Sequence, residues 1–580
     1  MAKRWRIHPH DADRIAALQC AARVPAVVAQ LLICRGITDP ALARVFLDPK
    51  LSALHDPEQL PGCTEAAAKI HEAIRAKKRI VVYGDYDVDG MTGTAVLWRC
   101  LRLLGADVGY YVPHRVDEGY GLHGDAVRTL ASDNVGMIVT VDCGIGSVAV
   151  AETARQLGVD LIVTDHHEPG PELPQATAVV HPRLPGHGYP FGGLSGSGVA
   201  LKVAWALCQQ ASGAKKVGQR MREFLLQAVG LAALGTIADV VPLVDENRVL
   251  VRHGLSSLAG QPTLGLATLM RVAQLDGKTQ LASEDVAFSL APRLNAAGRL
   301  GQPQLAVELL VTERTERAEE LARYIDQLNA DRQTLERSIY RAANKQAREQ
   351  FDPAEDSALV LADHGWHEGV IGIVAGRLAD KYHRPVVLIS WDKLAVKPGV
   401  GSARSVPGFN LHAALAACDE YLVSHGGHVA AAGLKIEEGK LEGFRAAFCE
   451  VAAAEISEQQ RVAELRIDAE APLSAFTLEA VGHIERLAPF GEGNSRPLLC
   501  TAGVTLAEPP KTIGSDGRHL SLRLSQHGVT LRAVAFGGGE WADDLASLQR
   551  PLDAAFRPVI NTFRGRRNVE LHLVDWRAEA

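Results

Sequence analysis

Four short apolar runs, each ending in ionisable side chains, limit what this chain can fold into. "RIVVY" (residues 79–83), "ADVGYYVP" (106–113), "VGMIVTVDCG" (135–144) and "VDLIVTDHHE" (159–168) are β-branched and nearly continuous, as strands buried on both faces are. Helical segments such as "TGTAVLWRCLRLLG" and "SVAVAETARQLG" lie between them, the first closing on Gly105 as a helix stop does. Strands alternating with helices predict an α/β fold with a parallel sheet, and such sheets bind ligands outside the carboxyl ends of their strands. Those ends carry Asp85, Asp87 and Asp89, then His114 and Arg115, then Asp142, then Asp165, His166 and His167. Asp239, in "LGTIADVVPL" after a long apolar helix, can reach the same edge.

Singly, these residues have ordinary explanations. Aspartate punctuates turns, and an isolated histidine is more often a hydrogen-bonded side chain than a ligand. Asp-x-Asp-x-Asp-Gly also opens an EF-hand loop, but the twelfth position needs a bidentate Glu and here holds Val96. Together they mean more. Carboxylates converging on one edge repel unless protons or cations neutralise them, and neutral imidazoles complete a ligand set suited to Mn²⁺ or Mg²⁺. There are enough carboxylates for two ions sharing one side chain, the arrangement that activates water and clamps a phosphodiester.

Further along, residues 312–349 place Ala318, Leu321, Ile325, Leu328, Leu335 and Ile339 at helical spacing. A coiled coil is one reading; the interruption at Arg332 favours a long connector within the chain. A second α/β lobe follows, holding "GSARSVPGFN" and "HGGHVAAAG", where small residues let backbone N–H groups approach an oxyanion beside Arg404. From about residue 461, short strands separated by Gly, Asp and Pro turns predict a small β-barrel of the OB type. Its basic stretch "FRPVINTFRGRR", with Phe556, Phe563 and Trp576 near it, offers cations beside π faces for a single strand.

The 61 basic and 68 acidic residues are nearly balanced, so a nucleic-acid surface has to be a local groove. Nine cysteines without C-x-x-C spacing fit reduced thiols better than disulfides or zinc. The opening "MAKRWRIHPHDADR" lacks the apolar core of a secretory signal, and the apolar stretch around Gln227 and Asp239 reads as a buried helix, not a membrane span. A cytoplasmic protein is expected.

"DYDVDG", "VDCG", "TDHH" and "TIADVVP", in this order on these elements, resemble the DHH phosphoesterase superfamily. "APRLNAAGR", "GSARS", "HGGHVAAAG" and "APFGEGN" extend the likeness to its bacterial single-strand-specific exonucleases. The resemblance implies a 5′-to-3′ exonuclease of single-stranded DNA, releasing 5′-mononucleotides in DNA repair and recombination. It implies two Mn²⁺ or Mg²⁺ ions on Asp85, Asp87, Asp89, Asp142, His166 and Asp239, with Asp142 bridging and His167 beside the scissile phosphate. Where some members carry a histidine four residues before the first metal aspartate, this chain has Tyr83. A 5′-phosphate site is implied on Arg115, Arg293, Ser402 and Arg404, with Arg299 a neighbour; His425 and His428 either polarise the phosphate or fix the glycine turn.

The expected division is an N-terminal helical segment (1–60), the metal domain (61–310), the connector helix (311–350), the second lobe, called DHHA1 in the superfamily (351–456), and the OB barrel (457–580). Expected partners are single-stranded DNA and, by resemblance, a single-strand-binding protein and a RecQ-type helicase, with the chain a monomer and no membrane involved. Three other readings stay open. One is a DHH enzyme for dinucleotides or pyrophosphate, one a haloacid-dehalogenase-type phosphatase with Asp87 as nucleophile, and one a non-catalytic DNA scaffold.

Overall fold

The computed structural model describes residues 3–115, 118–352, 355–392, 397–457, 463–514, 516–563 and 565–578. It resolves into two compact units. One holds residues 55–241 and 253–463; the other gathers 3–54, 242–252 and 464–580.

In the first unit the four apolar runs form strands Arg79–Gly84, Val108–Tyr111, Val135–Val141 and Asp160–Thr164, joined by a fifth, Ala178–Val180. All pair in parallel, with Val108–Tyr111 at one edge, then Arg79–Gly84, Val135–Val141, Asp160–Thr164 and Ala178–Val180. The chain therefore reverses direction between Arg79–Gly84 and Val135–Val141. This is the switch point at which such sheets open a crevice, and Asp85 and Asp142 each follow one of the two strands that border it.

The helix after the acidic loop begins earlier than its apolar pattern suggests, at Val88, and runs to Leu103. Asp87 is its N-cap, accepting hydrogen bonds from the amides of Asp89 (2.9 Å) and Gly90 (3.0 Å). One carboxylate of the loop thus starts the helix and places Asp89 in the first turn.

The connector is a single helix, Thr315–Gln350, of 36 residues and about 54 Å. Its first half packs on helices Leu264–Val272 and Ala291–Arg299, and its second half on Glu368–Tyr382. Arg332 does not break an apolar seam. It is buried in an ion pair with Glu336 (2.6 Å), which also pairs with Arg377 (2.8 Å). The second lobe has a five-stranded sheet in the order Leu422–Gly427, Ala431–Ile436, Gly399–Arg404, Val386–Ser390, Leu359–Asp363, parallel only between the last two. The long apolar helix Gln219–Ala238 has the length and composition of a membrane span, yet most of it is buried inside this unit.

The second unit contains the barrel. Leu499–Leu506, Leu552–Phe563, Arg566–Ala578, Val529–Ala535 and His519–Gln526 pair in succession, and Thr505 opposite Ser525 closes the ring. The N-terminal segment is not only helical. Strand Arg4–Ile7 pairs in parallel with Glu464–Ile467, and Leu18, Val28, Leu31 and Leu47 share a core with Phe476, Leu499 and Phe556. Arg248 joins the pieces by donating to the carbonyls of Phe46 (2.9 Å) and Leu487 (2.7 Å) while lying over the Phe46 ring.

Two of the three barrel aromatics expected to meet a strand are placed otherwise. Phe556 is 0% exposed in the core, and Trp576 packs against that core. Phe556 continues the inward alternation of Leu552 and Ala554, which share that core. Phe563 is 66% exposed, as is Phe536 at 63%. Arg564 of the basic stretch lies outside the described residues.

Candidate metal centre

Each ligand candidate stands where an element ends. Asp85 follows its strand with its amide bonded to the Val141 carbonyl (3.2 Å), so the ends of the two switch-point strands are fastened together. Asp89, in the first helical turn, accepts the amides of Gly196 (2.6 Å) and Ser197 (3.0 Å), the N-terminus of helix Gly196–Ser212. A side chain at Gly196 would fall 2.6 Å from the Asp142 Cβ, and one at Gly235 would fall 2.5 Å from Asp89 Oδ1. Both glycines are needed for the helices to close on the acids.

Three sets of possible ligand atoms result, each set within 4.8 Å: Asp85, Asp87 and Asp142; Asp89, His166 and Asp239; and Asp142, His166 and His167. Asp142 and His166 recur between sets, with Asp142 Oδ1 3.0 Å from His166 Nε2. The structure therefore brings together all seven residues read from the sequence as the catalytic group. Tyr83 is fully buried, stacks on Tyr111 and donates to the Gly121 carbonyl (3.1 Å).

The charges are not balanced from within. Burial and the neighbouring aspartates push Asp85 and Asp142 far above the usual carboxylate range, Asp89 up to about 6 and Asp239 up to about 9. Burial, with His167 and Arg183 nearby, lowers His166 to about 3. That direction favours the neutral imidazole, the form that ligates. Asp85 Oδ1, Asp142 Oδ1 and His166 Nε2 are buried without hydrogen-bond partners. Buried acceptors aimed at common points, in a set of carboxylates and neutral imidazole, fit divalent cations.

Asp165, which the sequence reading did not take as a functional residue, orients the histidines. Burial works against its charge, but His167 and the Ile145 amide bring it down to about 2. It accepts from His167 Nδ1 (2.8 Å) and from the amides of Ile145, His166 and His167. Its position one residue before the histidines was the only signal. Tyr120, whose hydroxyl lies 3.0 Å from His167 Nδ1, stands in an irregular loop and had none.

A stability prediction follows from these shifts. Asp239, Asp85 and Asp142 hold their protons more tightly folded than unfolded, so in chelator the folded state loses stability as pH rises toward 9. His167, raised by Asp165 against burial, acts in the same direction, whereas the depressed His166 acts only below about pH 6.5. With EDTA present, Tm falls by on the order of 5 °C between pH 7 and 9, and saturating Mn²⁺ removes the fall. A chelated protein with a flat profile, or one whose slope survives Asp239→Asn unchanged, contradicts this electrostatic account.

The arginines are sorted differently from expectation. Arg299, expected as a peripheral neighbour, is lowered to about 9 by burial and by the guanidiniums of Arg115 and Arg404, and it donates to the Gly369 carbonyl (3.0 Å). Arg404 donates to Ser402 Oγ (3.1 Å), and a Cβ at Gly372 would meet both side chains within 2.9 Å. Arg115 lies over the Tyr86 ring at 4.9 Å. Three half-buried guanidiniums, two of them lowered by burial and by their neighbours, are suited to an anion. Arg293 instead binds Asp326 (2.8 Å) and the Ser289 carbonyl (2.7 Å). His425 faces Asp419 (3.3 Å), and His428 is exposed in the adjoining turn.

Residues 79–236 match the DHH family, N-terminal domain, residues 355–454 the DHHA1 domain and residues 467–575 the RecJ OB domain. The single-stranded-DNA-specific exonuclease RecJ of Bacillus subtilis is 37% identical over 575 residues, which cover 99% of this chain and 70% of that protein. The crystal structure of RecJ from Thermus thermophilus in complex with Mn²⁺ matches at 34% identity and a TM-score of 0.84, covering 100% of this chain and 80% of that one. The same protein in complex with Mg²⁺ matches at 32% identity and a TM-score of 0.78, covering 100% and 79%. Matches of this identity and coverage, spanning metal domain, second lobe and barrel in one order, place the chain in the RecJ family of single-stranded-DNA-specific exonucleases.

Proposed function

We propose that this protein hydrolyses single-stranded DNA from its 5′ end, one nucleotide at a time, using two Mn²⁺ or Mg²⁺ ions. The observation that carries the reading is the sharing of Asp142 and His166 between neighbouring ligand sets at the switch point. Asp85, Asp87 and Asp142 would hold one ion, and Asp89, His166 and Asp239 the other. Bound there, the ions would supply a nucleophilic hydroxide and neutralise charge on the phosphodiester. The residues around them bind and orient. Asp165 fixes the His167 ring, which faces the reacting phosphate, and Arg115, Arg299, Arg404 and Ser402 take the terminal 5′ phosphate. Asp87 serves as helix cap and cluster member, which leaves it poorly placed as a covalent nucleophile.

The test compares 5′- and 3′-labelled single strands, each with Mn²⁺, Mg²⁺ or EDTA. Mononucleotides leaving the 5′ end only when a metal is present support the reading; cleavage in EDTA or from the 3′ end rejects it. We infer further that it works as a cytoplasmic monomer with a single-strand-binding protein and a RecQ-type helicase.

On the barrel, we assign strand binding to its outer surface. Phe536 stands between His519 (5.6 Å) and His572 (5.0 Å), while Arg523 faces Arg532 and Arg557 faces His572 across neighbouring strands. Stacking on an exposed ring contributes about 1–3 kcal/mol per base. Phe536→Ala and Phe563→Ala should each weaken binding of a long single strand by about tenfold and spare hydrolysis of very short ones. Fluorescence anisotropy checks this; unchanged affinity in both variants would make the barrel face structural.

A further inference from the structure

Asp142 is a non-glycine residue held at φ +64°, a left-handed conformation that strains most side chains. Its amide donates to the Thr164 carbonyl (3.0 Å), and its own carbonyl accepts the Tyr120 hydroxyl (3.2 Å). That hydroxyl also lies 3.0 Å from Nδ1 and 3.2 Å from Nε2 of His167, the two rings meeting edge to face at 5.3 Å. Asp165 Oδ1 takes Nδ1 of the same imidazole at 2.8 Å. The Nδ1 proton goes to the buried carboxylate and the hydroxyl's own proton to the bridging aspartate's carbonyl, so the hydroxyl holds the ring by accepting from Nε2–H. Tyr120 is 49% exposed, with its polar end in the centre and its ring outside. Its loop is fastened on both sides, by Tyr83 donating to the Gly121 carbonyl and by Glu118 accepting from Tyr111 (2.7 Å) and from the His114 amide (2.7 Å).

We propose that Tyr120 is a positioning residue for the hydrolysis: its hydroxyl, located by the Asp142 carbonyl, sets the orientation of the His167 ring toward the reacting phosphate. The inference rests on the hydrolytic reading above, and one of its readouts does not depend on turnover. Tyr120→Phe keeps the ring and removes only the hydroxyl. It should lower kcat about tenfold, the effect of one lost hydrogen bond at a reacting group, and leave KM for the strand and Mn²⁺ affinity by calorimetry within about twofold.

The double-mutant cycle with His167→Ala separates routes, because Tyr120→Phe should cost nothing further where the imidazole is already gone. In metal-free, ¹⁵N-histidine-labelled protein, Tyr120→Phe should shift the ring resonances that His167→Ala removes. Full additivity with His167→Ala, a tenfold loss of Mn²⁺ affinity, or an unmoved His167 resonance would each overturn the proposal. A His167 resonance shifted by Tyr120→Phe, together with a wild-type protein that cuts no strand, would leave the positioning contact standing and reject the hydrolytic reading instead.

Discussion

Asp142→Asn lowers strand hydrolysis by on the order of a thousandfold or more, yet single-strand binding stays within about twofold. The reason is placement. Asp142 belongs to two of the three ligand sets and touches His166, so losing its charge weakens both cation positions at once, whereas the strand's phosphates and bases are held elsewhere. Asparagine is the cleaner substitution because it tolerates the left-handed backbone that alanine would strain at φ +64°. Calorimetry should show Mn²⁺ stoichiometry dropping below two. Single-turnover rates within tenfold of wild type, with two ions still bound, would remove Asp142 from the bridging role.

Arg404→Ala erases the preference for a 5′ phosphate. With Arg299 lowered by burial and by Arg115 and Arg404, and Ser402 held by Arg404, the cluster would take a doubly charged terminal phosphate better than a hydroxyl. Charge-assisted hydrogen bonds of about 1.5–3 kcal/mol predict that wild type degrades a 5′-phosphorylated strand roughly ten- to a hundredfold faster than its 5′-hydroxyl twin. In Arg404→Ala the two rates should agree within about threefold, with Mn²⁺ affinity unchanged. Matched oligonucleotide digests decide it: a preference that survives the substitution moves the anion site elsewhere, most directly to Arg293.

The parallel sheet and its acidic rim were legible because a strand covered on both faces has to be apolar throughout, and Ile80, Val81 and Val82 leave no other reading. The rim residues then fall at strand ends by topology alone. Less was legible where a side chain's partner lies far away in sequence. Arg332 reads as a flaw in an apolar stripe until Glu336 and Arg377 are seen around it. Arg299 and Arg293 are alike as letters, and only the fold shows that one is buried among guanidiniums while the other is neutralised by Asp326. Phe556 follows the inward alternation of Leu552 and Ala554, but it begins a basic stretch whose charge points the eye to the surface. Tyr120 left no periodicity to read.

The parallel pairing of Arg4–Ile7 with Glu464–Ile467 has a consequence for synthesis on the ribosome. Residues 3–54 are made first, but the strands and core that complete their unit emerge roughly four hundred residues later, a delay of about 20–80 s at ordinary elongation rates. Through that interval Val28, Leu31 and Leu32 lack the partners that bury them, while the metal domain can already close on its own core. Residues 3–54, made before the metal domain, then reach their native state after it. Slowed translation within residues 55–463 should accordingly raise the burden on chaperones that shield apolar nascent segments, without altering the finished enzyme.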